Sequence, residues 1–208
     1  MADITMTNED QSKIVDFLFE MGTMRKLPRM HRQTLLTDDM SDNIATHSYR
    51  VTLIGWFLAK MEKVDPYKVV MMCLTHDMGE VRSGDHNWIH KKYVKIFEDE
   101  IKEEQLGALP FDDLKEIADE YDKRESKEAV VAKDADLIDQ MLLLREYVWQ
   151  GNREAGIWLE GKPGSTQGET QADRVSRLKT ESAKKLAEIV LERGPSDWWN
   201  DIWTSKNR

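Results

Sequence analysis

A histidine and an aspartate stand together at the end of an apolar segment, and this pair constrains the fold more than any other feature of the sequence. His76 and Asp77 follow the run VVMMCLT at positions 69–75. An ionised carboxylate buried beside an imidazole is costly unless another group compensates it. A divalent cation would compensate both groups at once, so the pair calls for further ligands on neighbouring helices.

Two such candidates lie in other apolar helical segments. His47 opens the segment at 47–59, and Asp136 lies in the segment KDADLID at 133–139. Two imidazoles and two carboxylates form a mixed nitrogen and oxygen set, which suits Mn, Fe, Co, Ni, Zn or Mg without selecting one of them. The single cysteine, Cys73, argues against a thiolate site.

The finer pattern resembles the HD-domain phosphohydrolase superfamily, in which a histidine, a His-Asp pair and an aspartate follow one another. The resemblance is carried by SDNIATHS at 41–48, HDMGEVRSGD at 76–85 and KDAD at 133–136. Over roughly residues 14–150, the sequence is similar to the branch of this superfamily that includes the 5'-deoxynucleotidases. The glutamate and the Gly-Asp pair that follow His-Asp make this pattern much more specific than the His-Asp pair alone.

The resemblance implies one divalent metal ion bound by His47, His76, Asp77 and Asp136. The family spacing from Lys133 selects Asp136 over Asp134. Asp134 and Asp139 are then expected at the surface or beside the ligating imidazoles, which carboxylates commonly orient.

Two more carboxylates follow the His-Asp pair. Glu80 lies one helical turn after Asp77, on the same face, and Asp85 follows a glycine. Beside a dication their pKa values depend on the metal as much as on each other, so they could transfer protons to or from a bound water. The resemblance implies that Glu80 and Asp85 are catalytic.

A basic segment in an otherwise acidic chain is the candidate phosphate clamp, since guanidinium and ammonium groups bind phosphate directly. Its members are Arg25, Lys26 and Arg29. Where the branch often has arginine two residues before a proline, this chain has Lys26, and Leu27 replaces an aromatic residue. Both departures concern substrate selection and leave the hydrolytic centre unchanged.

The segment after Asp85 offers two interpretations. His86 and His90 are spaced as one helical turn, and extra histidines of this kind could support a second metal, as in dinuclear HD proteins. Those histidines usually lie further from the His-Asp pair, so we expect His86 and Trp88 to contact substrate instead.

The hydrophobic periodicity predicts an all-α fold, an HD-domain helical bundle. We expect a flexible leader at 1–12 and a single domain at 13–208 with a tryptophan-rich tail. Ser12 is the expected cap of a first helix that ends at Gly22, and residues 25–46 are an expected irregular connection. Further helices are expected at 43–62, from Pro66, at 88–106, from Pro110 to 123, at 126–150 and at 170–193, with a loop at 151–169.

The composition of the chain limits which partners and which cellular compartment we expect. The net charge of −9 disfavours a nucleic-acid polymer, because phosphate neutralisation needs clustered lysine and arginine. No apolar run is long enough to span a membrane, and the start of the chain does not resemble a signal peptide. The lone cysteine fits a reducing compartment, so we expect a cytoplasmic protein. Family members often dimerise, which implies a homodimer, with the tryptophan-rich tail as one candidate contact.

The sequence therefore predicts a metal-dependent phosphomonoesterase that hydrolyses nucleoside 5'-monophosphates, with a possible preference for 2'-deoxy forms. One alternative is another HD-type enzyme, namely a pyrophosphohydrolase, a phosphodiesterase or a dinuclear iron oxygenase. The other is a non-catalytic HD domain that binds a nucleotide and signals to a partner.

Overall fold

The computed structural model of the protein describes residues 6–161 and 171–202, with residues 171–173 described by their backbone alone. Within these ranges the fold is all-α, as predicted, and no β-strand is present. None of the described helices has the length and apolarity that a membrane crossing needs. The α-helices are α1 (Asn8–Met21), α2 (His31–Leu35), α3 (Ile44–Glu62), α4 (Pro66–Thr75), α5 (Glu80–Ser83), α6 (Trp88–Tyr93), α7 (Glu98–Leu106), α8 (Asp113–Lys123), α9 (Lys127–Trp149), α10 (Arg153–Glu160), α11 (Gln171–Arg177) and α12 (Glu181–Glu192).

The main core lies where α3, α4 and α9 pack on one another. Val51 of α3, Met72 of α4 and Ile138 of α9 are fully buried in it. Gly55 permits a close approach of α3 to α4, because a Cβ atom there would lie 2.5 Å from the Sγ atom of Cys73. The three helices that carry the candidate ligands are thus fixed by one close-packed interior.

A smaller apolar cluster attaches α10 to α2 and α9. Asn152 caps α10 by accepting a hydrogen bond from the Ala155 amide at 2.9 Å, and its side-chain amide donates to the Leu35 carbonyl at 2.8 Å. The buried members of this cluster are Leu35, Leu144, Tyr147, Ala155 and Leu159.

Several helices lie where the sequence predicts them, and local caps fix where two of them begin. Asn43 and Thr46 form a capping box at the start of α3, in which each side chain satisfies a backbone amide of the other. Pro66 is the first residue of α4 and Asp65 caps it. The long helix α9 and the end of α1 before Gly22 also match the sequence.

The predicted leader and the Ser12 cap are wrong for the described residues. Helix α1 begins at Asn8, because Thr7 and Asp10 form a capping box there, and Ser12 lies inside the helix. Residues 1–5 lie outside the described ranges.

The expected helix at 88–106 is interrupted. It consists of α6 and α7, and residues 94–97 between them are not helical. The expected helix at 170–193 is likewise split between α11 and α12. Here Asp134 accepts hydrogen bonds from the amides of Lys179 and Thr180, at 3.0 and 2.8 Å. These bonds hold the two residues before α12, whose cap is the Thr180 side chain, and they coincide with the break in the helix that the sequence predicts.

Three segments expected to be irregular or packed differ from expectation. The connection at 25–46 contains α2 and part of a 3-10 helix, Gly22–Lys26. The expected loop at 151–169 contains α10, while 162–169 lies outside the described ranges. Trp198 and Trp199 of the tail are 69% and 42% exposed, so within the described part of the tail they do not join the core. The fifth expected helix starts at Asp113 and not at Pro110.

Candidate metal centre

Three packed helices bring the candidate ligands together. His47 lies in the first turn of α3, behind the Asn43 cap. His76 is the residue at which α4 ends, and Asp77 follows it. Asp136 lies within α9, which packs against both α3 and α4. Each ligand is therefore positioned by a helix whose own start or packing is fixed.

The donor atoms converge on one point. His47 Nε2 lies 3.2 Å from His76 Nε2, and Asp136 Oδ1 lies 3.3 Å from His47 Nε2 and 3.9 Å from His76 Nε2. One ligand atom from each of the three residues lies within 4.8 Å of the others. Two imidazole nitrogens that face each other so closely need a proton or a cation between them. The mixed nitrogen and oxygen set fits a divalent metal ion.

Asp77 faces the same two nitrogens. Its Oδ2 atom lies 3.2 Å from His76 Nε2 and 3.4 Å from His47 Nε2. The same oxygen accepts a hydrogen bond from Arg29 Nη1 at 3.2 Å. Arg29 therefore shares this carboxylate with the metal centre.

Outer hydrogen bonds fix the orientation of both imidazoles. His47 Nδ1 lies 2.6 Å from Asp139 Oδ2, and His76 Nδ1 lies 2.8 Å from the Cys73 carbonyl. Asp139 is held in turn by an ion pair with Arg50. A metal-binding histidine commonly donates its second ring nitrogen in this way, which directs the free nitrogen at the metal.

Electrostatics at the centre favour a bound cation. Burial disfavours the charged imidazole of His47, yet hydrogen bonds to Asp136 and Asp139 outweigh burial and raise its pKa to about 9. Burial acts against the ionised Asp77, but His76 and Arg29 hold its pKa well below its usual value. The pKa of Asp136 is also lowered, because His47 and Lys133 outweigh its burial. Two carboxylates that stay ionised beside an imidazole that favours positive charge provide the negative surroundings that a metal requires.

Glu80 is a buried carboxyl beside this centre. Its Oε2 atom is buried without a hydrogen-bond partner. Burial, followed by repulsion from Asp77 and Asp85, raises the pKa of Glu80 to about 9. Asp85 differs, since it accepts a hydrogen bond from the Met30 amide at 2.5 Å and lies 3.8 Å from Arg29 Nε. The two carboxyls therefore suit different roles.

A cavity of about 270 Å³ opens onto the centre. His76, Asp77, Glu80 and Asp136 belong to its lining. The lining also has four cationic side chains, Lys91, Lys102, Arg124 and Lys133. A cavity whose lining combines a metal centre with cationic side chains suits a small anion.

Arg124 has an unpaired nitrogen. Its Nη1 atom is buried without a hydrogen-bond partner, and its guanidinium lies 3.2 Å from the centre of the Tyr121 ring. Lys102 instead pairs with Asp119 and Asp122, and Lys133 pairs with Asp136 at 2.6 Å. Arg124 therefore has hydrogen-bonding capacity left for an anion.

The ligand geometry agrees with a comparison against known families. A family model described as an HD domain matches residues 24–179, most of the chain. The chain belongs to the HD-domain family. The predicted HD-domain bundle is therefore confirmed.

Curated HD-domain relatives carry one recurrent name. The 5'-deoxynucleotidase HDDC2 of Dictyostelium discoideum is 31% identical over 144 residues, which cover 62% of this chain and 76% of the relative. The 5'-deoxynucleotidase HDDC2 of Bos taurus is 25% identical over 198 residues, which cover 91% and 90%. These relatives confirm the prediction of an HD-domain hydrolase.

A solved structure shows the same fold. It is that of a predicted metal-dependent phosphohydrolase from Magnetospirillum magnetotacticum, with a TM-score of 0.64 and 22% identity. The alignment covers 91% of this chain and 94% of that one. At this identity the likeness concerns the HD-domain fold alone.

The three basic residues expected to bind phosphate differ in burial. Arg29 is buried and touches Asp77 and Asp85. Arg25 is exposed and donates to the Gly22 carbonyl at 2.5 Å, and Lys26 is exposed. The structure thus brings Arg29 to the centre, while a phosphate contact by Arg25 or Lys26 stays a prediction.

His86 and His90 pair with each other, with ring centroids 5.6 Å apart, and His86 Nε2 lies 3.1 Å from the Ser83 carbonyl. Among the described residues, the group of potential metal ligands consists of His47, His76 and Asp136. A second metal at His86 and His90 therefore gains no support.

The three aspartates of α9 have three different environments. Asp136 faces the imidazoles, and Asp139 orients His47, as expected. Asp134 is only 1% exposed and accepts hydrogen bonds from the amide and the hydroxyl of Thr180, the residue that caps α12, so the expectation that it lies at the surface or beside the imidazoles is wrong.

Sequence reasoning missed one group beside the site. His31 Nε2 lies 3.4 Å from Arg29 Nη2, and its ring packs edge-on to Trp158 at 5.7 Å. Trp88, the expected substrate contact, packs edge-on to the same Trp158 at 5.5 Å. The one available signal was that His31 lies two residues after Arg29, but a basic loop does not reveal which side chains turn inward.

Proposed function

We propose that the protein is a metal-dependent phosphomonoesterase that hydrolyses 2'-deoxynucleoside 5'-monophosphates to nucleoside and inorganic phosphate. The main support is the convergence of His47, His76 and Asp136, with Asp77 beside them, at the wall of a cavity that also holds Glu80. The relatives named 5'-deoxynucleotidase supply the substrate class. The cations of the cavity lining agree with an anionic substrate.

We further propose one divalent metal ion per chain, which could be Mn, Co, Mg, Zn, Ni or Fe. His47, His76, Asp77 and Asp136 would hold it. A bound ion of this kind polarises a phosphoryl oxygen and lowers the pKa of an attacking water. Asp139 and the Cys73 carbonyl keep the two imidazole Nε2 atoms directed at the ion.

The chain's own residues would handle the protons and the charge. In the reaction, water attacks phosphorus, the bond from phosphorus to the 5' oxygen breaks, and the leaving alkoxide needs a proton. Glu80 suits the donor role, because burial and repulsion from Asp77 and Asp85 raise the pKa of its carboxyl and so favour the protonated form. Asp85, held by the Met30 amide, would accept the water's proton, while Arg29 and Arg124 offset the charge of the phosphate.

The test combines metal analysis with phosphate release from a nucleotide panel. His76→Ala should remove most bound metal and nearly all activity, whereas the matched control His90→Ala should keep both. Hydrolysis of 5'-monophosphates but not of 3'-monophosphates is expected. Release from a nucleoside triphosphate or a cyclic nucleotide, without release from any monophosphate, would replace this proposal with another HD-type hydrolase.

Glu80 has its own test. Glu80→Gln should retain metal and lose about 10²–10⁴-fold in kcat, the usual range for a general acid. Glu192→Gln, an exposed change on α12, is the matched control. A Glu80→Gln enzyme with wild-type kcat removes Glu80 from the mechanism.

A homodimer and a cytoplasmic location complete the proposal. Helix α3 presents an exposed apolar face of Tyr49, Leu53, Trp56 and Phe57, each at least 40% exposed. A contiguous apolar face of this kind is typical of a protein contact. The single cysteine of the chain, Cys73, agrees with a reducing compartment.

A further inference from the structure

An aromatic cluster lies beside the metal centre and has no role in the chemistry proposed above. Trp158 of α10 stands between His31 and Trp88, with ring centroids 5.7 Å and 5.5 Å away and steep interplanar angles of 75° and 63°. Trp158 is half-buried and Trp88 is 65% exposed. The cluster thus leads from a buried histidine to an open indole surface.

Several elements fix the position of Trp158. Arg174 donates to the Trp158 carbonyl from Nη2 at 2.6 Å and from Nε at 2.9 Å. The neighbouring Leu159 is fully buried in the smaller apolar cluster, and Asn152 ties the start of α10 to the end of α2. A half-buried indole held this firmly loses little conformational entropy on binding a ligand.

A short chain of contacts connects this cluster to the metal centre. Arg29 bonds Asp77 through Nη1, at 3.2 Å, and lies 3.4 Å from His31 through Nη2. Trp158 and then Trp88 follow beyond His31. In a nucleoside 5'-monophosphate the base lies one sugar away from the phosphate. Groups that meet the base must therefore lie beyond those that meet the phosphate, as this order of residues provides.

His31 has hydrogen-bonding capacity to spare. Its Nδ1 atom is buried without a partner, and Gln140 Nε2 lies 3.5 Å from the other ring nitrogen. Burial, reinforced by Arg29, lowers the pKa of His31 to about 4. In the neutral ring, Nε2 faces the Arg29 and Gln140 donors as an acceptor, and the N–H group at Nδ1 is left as a donor without a partner.

We propose that Trp158 and Trp88 form the stacking surface for the nucleobase of the substrate, and that His31 presents a polar group to the base or the sugar. This inference rests on the proposed nucleotidase function and names the residues that recognise the base. Stacking accepts every base, because each has a π-face. The enzyme should accept several bases and prefer purines, which offer the larger ring.

The experiment separates base recognition from phosphate chemistry. Calorimetric titration of the metal-loaded protein with 2'-deoxyadenosine reports base binding without turnover. In parallel, kcat/KM is measured for 2'-deoxyadenosine 5'-monophosphate and for 2-deoxyribose 5-phosphate, which has no base. The variants are Trp158→Leu, Trp158→Phe and Trp88→Leu, with Trp149→Leu as an exposed tryptophan control at the end of α9.

Trp158→Leu and Trp88→Leu should each weaken 2'-deoxyadenosine binding and lower kcat/KM for the nucleotide by about 5- to 100-fold, the usual effect of losing one stacking partner. The value for 2-deoxyribose 5-phosphate should not change. Trp158→Phe should recover most of the loss, because it retains a π-face. Trp88→Leu covers the case in which the half-buried Trp158 is needed for folding.

Equal losses on both substrates, or unchanged 2'-deoxyadenosine binding in both leucine variants, overturn the base surface even if the nucleotidase activity is found. The opposite outcome is that the wild-type protein binds 2'-deoxyadenosine through Trp158 and Trp88 yet releases no phosphate from any monophosphate. That result would retain the base surface and reject the proposed function.

Discussion

Helix α9 carries three aspartates with three different contacts, Asp134, Asp136 and Asp139. They lie on different faces of α9, because successive residues of a helix are rotated about 100° apart. Asp136 faces the paired imidazoles, Asp139 faces the far side of His47, and Asp134 faces the amides at the start of α12. Replacing each with asparagine should therefore produce three separable defects.

Asp136→Asn should lose metal most severely, since it removes a ligand charge. Asp139→Asn should weaken metal binding by about 10–100-fold, the usual effect of losing a partner that orients a ligating histidine. Asp134→Asn should bind metal normally and lose roughly 1–3 kcal/mol of unfolding free energy, because it weakens charge-assisted hydrogen bonds. Metal titration and denaturant unfolding of the metal-free proteins separate these outcomes. If Asp134→Asn is the variant that loses metal, the assigned fourth ligand is wrong.

Asp42 should make stability depend on pH. Its Oδ2 atom is buried without a partner, and burial raises its pKa from 3.8 to about 6, although Arg29 opposes the shift. A carboxyl with a raised pKa contributes its full stability below the unfolded pKa and loses it as pH rises through the folded pKa. The stability of Asp42→Asn relative to wild type should therefore increase from about pH 4 to about pH 7, by roughly 1–3 kcal/mol.

This dependence is measured by denaturant unfolding of metal-free protein across that pH range. Asp16→Asn, an exposed acid on α1, controls for the loss of one negative charge. A difference between Asp42→Asn and wild type that stays flat with pH means that Asp42 is not the titrating group.

At the residue scale, the sequence predicts which kinds of residue form the site better than it predicts which side chains turn inward. The metal ligands follow from their kind and order, because few arrangements of histidine and aspartate can close one coordination sphere. Which basic residue turns inward does not follow, since Arg25, Lys26 and Arg29 share one segment and only tertiary packing buries Arg29. Asp134 was misjudged for the same reason, because its partners lie 45 and 46 residues further along the chain.

At the element scale, apolar periodicity and Pro66 predicted the positions of α3 and α4, whereas the break between α11 and α12, beside the distant Asp134, was not predicted. Asn43 and Asp65 cap the starts of α3 and α4 with hydrogen bonds to nearby backbone amides. Helix α10 was mistaken for loop because its segment is rich in glycine. Gly151 and Gly161, both at positive φ, bracket this helix, and only Gly156 lies inside it.

Asn152 should therefore matter more than an ordinary cap. Asn152→Ala removes the cap of α10 and the bond to the Leu35 carbonyl, so we expect a loss of roughly 1–3 kcal/mol in unfolding free energy. Thr7→Ala is the matched control, because Thr7 caps α1 at an exposed end. Equal losses in the two variants, measured by chemical denaturation, would contradict the anchoring role of Asn152.

At the scale of the whole molecule, helix α3 has one face in the core and one apolar face that is exposed. The inner face of α3 carries His47 and packs into the main core, whereas its outer face remains apolar and exposed. A helix that is apolar on both faces usually has a partner on each. The outer face is thus a stronger candidate for a dimer contact than the tail expected from the sequence, whose exposed indoles, Trp198 and Trp199, pack on each other.

The dimer contact can be tested by placing a charge at each site. Phe57, 58% exposed on α3, and Trp198, 69% exposed in the tail, are comparable aromatic side chains. Phe57→Glu should weaken dimerisation by roughly 2–4 kcal/mol, the cost of losing a central interface anchor, and so by about 30- to 1,000-fold in dissociation constant. Trp198→Glu should leave the dimer intact. Sedimentation velocity over a range of concentrations measures both. Dissociation by Trp198→Glu alone would assign the contact to the tail, and a monomeric wild-type protein would reject the dimer.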